Sequence, residues 1–71
     1  MVTYKKTYVY ENTARNLVVS ISCYREKFAL CDFWRVDYCH KYNGKEYWFT
    51  YKADLLNKPN KRQITNYLET L

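Results

Sequence analysis

Asn43-Gly44 is the feature that most restricts how this chain can fold. A two-residue type I′ turn needs φ > 0 at both central positions, and Asn-Gly meets that need at the lowest steric cost. Gly44 is the only glycine in 71 residues, so the permissive backbone is used here alone. A turn at this point sets Tyr42 opposite Lys45. The pairs then run outward: Lys41 with Glu46, His40 with Tyr47, Cys39 with Trp48, Tyr38 with Phe49, Asp37 with Thr50, Val36 with Tyr51 and Arg35 with Lys52. Alternate pairs share a face. One face collects Val36, Tyr38, His40, Tyr47, Phe49 and Tyr51 and reads as a core. The other collects Arg35, Asp37, Cys39, Lys41, Glu46, Trp48, Thr50 and Lys52 and reads as solvated apart from Trp48.

The flanking sequence supplies further strands. Residues 4–10 place Tyr4, Lys6, Tyr8 and Tyr10 on one side and Lys5, Thr7 and Val9 on the other. The two sides are nearly equally polar, and the lysines suit an edge strand. Residues 17–24 alternate cleanly, with Leu17, Val19, Ile21 and Cys23 set against Val18, Ser20, Ser22 and Tyr24, and the β-branched content disfavours helix. Arg25-Glu26-Lys27 forms a charged turn, and residues 28–34 extend the first strand of the hairpin. That extension carries Phe28, Leu30, Asp32 and Trp34 to the core side. An unpaired buried carboxylate is costly. Either the strand bulges near Asp32, or Asp32 lies at the open end of the sheet beside a cation.

Residues 52–59 leave the sheet with one helical turn. Asn60-Lys61-Arg62-Gln63 then has the form of a capping box, Asn60 as N-cap and Gln63 reaching back. Ile64, Tyr67, Leu68 and Leu71 follow at i, i+3, i+4 and i+7, an apolar helical stripe. A helix of about ten residues is marginal alone, so it must dock on the core face. The expected fold is one α+β domain over residues 1–71. It has a four-stranded antiparallel sheet built of two hairpins and one C-terminal helix packed on one face.

Composition bounds what such a domain can do. A chain of 71 residues is near the lower limit for a self-sufficient core, and nine Tyr, three Phe and two Trp supply the buried area. No apolar run approaches the ~20 residues of a membrane span. Met1-Val2-Thr3-Tyr4-Lys5-Lys6 lacks a signal-peptide core, so a cytoplasmic location is expected. Cys23, Cys31 and Cys39 are odd in number and read as reduced thiols; Cys23 and Cys31 would face one another only in a tight hairpin about Lys27. The Cys-x₇-Cys-x₇-Cys spacing matches no zinc pattern, and adjacent Cys39 and His40 point to opposite faces, so neither metal nor cofactor is expected. His40 is the single histidine, expected at the core edge beside Tyr47. With no Gly-rich phosphate loop, nucleophile elbow or paired carboxylates, the chain reads as non-enzymatic.

A net charge of +5 points to an anionic partner or to a merely soluble surface. The candidate binding residues are Arg35, Lys41, Trp48 and Lys52 on the solvated sheet face, with Lys58, Lys61 and Arg62 at the helix start. Cations at a helix N-terminus oppose its dipole, so the second group fits a surface role better than a folding one. Two partners suit these residues. One is a host protein with an acidic or nucleic-acid-binding surface, met by Tyr, Trp and Arg anchors. The other is single-stranded DNA or RNA, its bases stacked on aromatics set between cations. Tyr, Lys and Asn are abundant while Gly, Ala and Pro are scarce, as an AT-rich genome would give. The expected class is a phage or mobile-element accessory protein that inhibits or modulates a host protein, such as a defence or nucleic-acid-processing enzyme.

Overall fold

The computed structural model describes residues 2–71. Its elements follow in chain order: β1 (Val2–Asn12), β2 (Leu17–Glu26), β3 (Phe33–Tyr42), β4 (Lys45–Leu55) and the helix α1 (Lys61–Thr70). The strands pair antiparallel in the order β1-β2-β3-β4, so each lies beside its predecessor. With α1 on one face, this is the expected α+β arrangement.

The sheet is organised from the turn outward. Asn43 and Gly44 sit at φ 50° and 75°. The pairs from Tyr42 with Lys45 to Asp37 with Thr50 occur as the sequence dictates. Flanked by β1 and β3, β2 is buried from Leu17 through Tyr24 on both faces. Val19 and Ile21 of β2, Val36 of β3, and Ile64 and Tyr67 of α1 form the core. Each fully buried aliphatic side chain of this kind stabilises the fold by about 1.5–3 kcal/mol.

Both ends of α1 are satisfied by side chains. At the start, the Gln63 N–H donates to Asn60 Oδ1 at 2.8 Å and the Asn60 N–H donates to Gln63 Oε1 at 2.9 Å, the predicted capping box. The last turn has no basic residue of its own. A distant cation takes that place. Arg15, in the single 3₁₀ turn Thr13–Arg15 between β1 and β2, donates to the carbonyls of Leu68 (3.0 Å), Glu69 and Leu71. Asn12 Nδ2 adds a bond to the Leu68 carbonyl at 3.4 Å. A positive charge at a helix C-terminus complements the dipole, so Arg15 pins α1 to the β1–β2 connection.

The structure corrects the sequence reading at several places. β3 begins at Phe33 and residues 27–32 form a loop, with Phe28 91% and Leu30 99% exposed instead of lying in the core. Asp32 takes the second of its two alternatives: it lies at the open end, bonded to Lys5 at 3.2 Å and Arg25 at 2.7 Å. Cys23 stands opposite Trp34, not Cys31, and all three cysteines are free. A bulge between Tyr4 and Lys6 turns Tyr4 to the face opposite Lys6, Tyr8 and Tyr10. Beyond Thr50 the register shifts twice, so Val36 pairs with Lys52 and Trp34 with Leu55. β4 therefore stays in the sheet to Leu55, where the sequence suggested departure at Lys52 and a helical turn. Tyr47 and Phe49 lie on the helix side yet remain exposed, because a ten-residue helix spans only about 15 Å and packs over the centre of the sheet.

Candidate binding surface

The seven candidate residues divide into two surfaces of different character. On the uncovered sheet face lie Arg35, Lys41 and Trp48, as expected. Arg35 is engaged within the fold: its Nε donates to Asp37 at 2.9 Å, and its Nη atoms donate to Thr50 Oγ1 at 2.8 Å and to the Tyr4 hydroxyl at 3.3 Å. The hydrogen bond to Asp37 holds the guanidinium above its ordinary range. Lys41 faces Glu46 across β3 and β4, and Trp48 Nε1 donates to Glu46 at 3.2 Å. The same face carries Glu11 beside Val18 and Asp54 beside Tyr24. Its carboxylates thus outnumber its cations. The basic, aromatic sheet face expected from the sequence is aromatic but not basic.

Lys52 belongs to the other surface, and this is the main correction to the site. The bulge after Thr50 carries it to the helix side, where its Nζ lies 5.6 Å from the Tyr51 ring centre and 5.8 Å from that of Tyr67. It thereby joins the group at the helix start. Lys58 Nζ sits 3.9 Å over Tyr8 and 6.0 Å from Trp34, whose rings are themselves stacked 6.4 Å apart. Each contact of this type contributes roughly 0.5–1 kcal/mol at an exposed site, and it holds the ammonium in a fixed place. Lys61 and Arg62 occupy the exposed first turn of α1 beside them.

Two open grooves flank the Lys58-Pro59 link. One, of about 540 Å³, runs between α1 and β1 and is lined by Tyr10, Ile64 and Leu68 with Lys58 and Lys61. The other, of about 230 Å³, is lined by Leu55, Gln63 and Tyr67 with Lys52 and Lys58. No carboxylate lines either groove. Apolar floors bordered by lysines suit a segment that carries both acidic and apolar side chains. The sequence could not bring Lys52, Tyr8, Trp34 and Tyr67 to this place, since two bulges and the docking of α1 assemble them.

An aromatic strip adjoins the second groove. Tyr67 meets Tyr51 edge-on at 5.2 Å, Tyr51 meets Tyr38 edge-on, and Tyr38 stacks on Phe49 at 5.5 Å and meets His40 edge-on. His40 lies opposite Tyr47 as expected, but exposed. Elsewhere, burial raises the Cys39 thiol above its usual value. The Tyr24 hydroxyl is raised by its hydrogen bond to Asp54 and then by burial. Among the described residues no group of three or more His, Cys, Asp or Glu side chains is placed to hold a metal ion. Nor, among those residues, is any helix long and apolar enough to cross a membrane. Compared with protein-family models, curated proteins and solved structures, the chain matches none.

Proposed function

We propose that this chain is a small non-enzymatic binding protein that engages an acidic surface of another protein through the helix-start grooves. The observation that supports this reading best is the separation of charge. Lys52, Lys58 and Lys61 line apolar grooves free of carboxylates, with Arg62 next to Lys61 in the first turn of α1, while Glu11, Asp37, Glu46 and Asp54 lie on the opposite sheet face. Small size and a composition rich in Tyr, Lys and Asn and poor in Gly, Ala and Pro fit an accessory protein of a phage or mobile element acting in the host cytoplasm. There, occupying an acidic or nucleic-acid-binding surface of a defence or nucleic-acid-processing enzyme would inhibit or modulate it.

The aromatic strip favours a second reading, single-stranded DNA or RNA stacked on Tyr38, Phe49 and Tyr51 with the lysines on phosphates. Fluorescence anisotropy with short DNA and RNA strands, over about 50 to 200 mM salt, separates the two. The protein reading expects weak binding that vanishes within that range. It also expects capture of a host protein by the native chain but not by the Lys61→Glu/Arg62→Glu double variant. Tight nucleic-acid binding with a steep salt slope would overturn it in favour of the second reading.

A further inference from the structure

We propose that the groove between α1 and β1 takes an extended acidic segment of the partner protein, which adds to the outer edge of β1 as a further, antiparallel strand. The inference rests on the binding role given above to this groove and states the form its ligand takes. β1 is an outermost strand of the sheet, so the groove beside it opens onto an unpaired edge. From Lys6 to Asn12 that edge runs without a register shift. Main-chain bonds along such an edge supply affinity, and pockets for alternate side chains supply specificity.

The backbone directions fix which groups an added strand meets. The Lys41 N–H donates to the Asn16 carbonyl at 2.9 Å, so Lys41 turns its peptide groups toward β2. By alternation Cys39, Asp37 and Arg35 do the same, and their partners Val18, Ser20 and Ser22 turn toward β3. Val19 and Ile21, between those partners, turn toward β1 and hold Tyr10 and Tyr8. The peptide groups of Thr7 and Val9 therefore point out of the sheet. A strand laid along them is bonded at the positions opposite Thr7 and Val9. Its side chains opposite Lys6, Tyr8 and Tyr10 fall on the helix side.

What waits on the helix side selects the occupant. Opposite Tyr10 a side chain meets the apolar floor of Tyr10, Ile64 and Leu68. Opposite Tyr8 it meets Lys58, held 3.9 Å over that ring, with Lys61 lining the same groove. Opposite Lys6 it meets a third cation. Read antiparallel to β1, the matching segment is apolar-x-acidic-x-acidic. A second copy of this chain cannot supply it, because no two of its seven Asp and Glu stand two positions apart. A helix in the groove would leave the peptide groups of Thr7 and Val9 unmet, and its side chains repeat every three to four residues. Lysine on an edge discourages pairing with a like strand, and Lys6 here favours an acidic one.

Fluorescence anisotropy with a labelled peptide of core Leu-Thr-Glu-Val-Glu tests it. The native chain is expected to bind with a Kd below about 200 μM, and to bind the peptide with Lys for both Glu at least about tenfold more weakly. The Val9 N–H points out of the sheet, so Val9→Pro removes it without breaking a ladder bond. That variant, its fold checked by circular dichroism, is expected to bind at least about tenfold more weakly. An N-methyl group on the peptide's Thr, opposite Val9, is expected to have the same effect on binding to the native chain. On the first Glu, whose N–H faces away from β1, it is expected to leave the affinity within about threefold. No binding by the native chain at about 200 μM overturns the proposal. So does equal binding by Val9→Pro, by the Thr-methylated peptide or by the Lys peptide. The wider binding role of the grooves is judged separately, by capture with the native chain against Lys61→Glu/Arg62→Glu.

Discussion

At Gly44 the backbone sits at φ 75°, and a Cβ built there would meet nothing within 4 Å. The need for glycine is therefore conformational and not steric. Gly44→Val is expected to lower stability by about 1–3 kcal/mol in urea unfolding, because a β-branched residue resists positive φ. A neutral result would rule out the turn. Asp32 is the second residue whose environment makes a checkable statement. The hydrogen bond from Lys5, aided by Arg25 and opposed by partial desolvation, holds its carboxyl below the ordinary carboxylate range. A folded pKa below the unfolded one contributes stability that is complete above about pH 4 and is lost as pH falls through the lower folded value. The melting temperature of the native chain should thus fall more steeply in acid than that of Asp32→Asn. Identical acid limbs would show that the ion pairs contribute nothing in solution.

Among elements, α1 owes its place to contacts at both ends. Arg15→Ala removes the cation from its C-terminus and is expected to cost about 1 kcal/mol, read as a lower melting temperature with unchanged sheet content. At the other end the prediction has the opposite sign. Lys61→Glu/Arg62→Glu should raise the melting temperature slightly, since carboxylates suit a helix N-terminus, even as the proposed partner is lost. A fall instead would mean that these cations serve the fold. The elements that could be read from the sequence are those governed by local rules. Asn43-Gly44 dictates its own turn, and Asn60 and Gln63 cap their own helix. The bulges could not be read. Nothing in Thr50-Tyr51-Lys52-Ala53-Asp54 announces that β4 will slip against β3, and Asp54 takes a left-handed φ of 59° with neither Gly nor Asn to signal it. The single slip after Thr50 sufficed to move Lys52 from one surface to the other. The place of Lys52 in the site was therefore out of reach of periodicity alone.

For the molecule as a whole, the net charge was legible but its distribution was not. Lys5 and Arg25 are paired with Asp32, Arg35 with Asp37 and Arg15 with the helix carbonyls; of the other eight cations, Lys52, Lys58, Lys61 and Arg62 gather around the start of α1, while Lys6, Lys27, Lys41 and Lys45 lie apart from it. Strand order has a consequence of another kind, in the order of assembly. Each strand joins the one just before it across a short connection, so the sheet can zip outward from the 43–44 turn with little loop-closure entropy. The helix must wait, because Arg15 and the carbonyl of Leu71 lie 56 positions apart and meet only once β1 and β2 are in place. Substitutions in the central hairpin should then slow folding, while Ile64→Ala should chiefly speed unfolding. Stopped-flow chevrons would show the difference, and a large folding-limb effect from Ile64→Ala would reverse the order: helix first, sheet after.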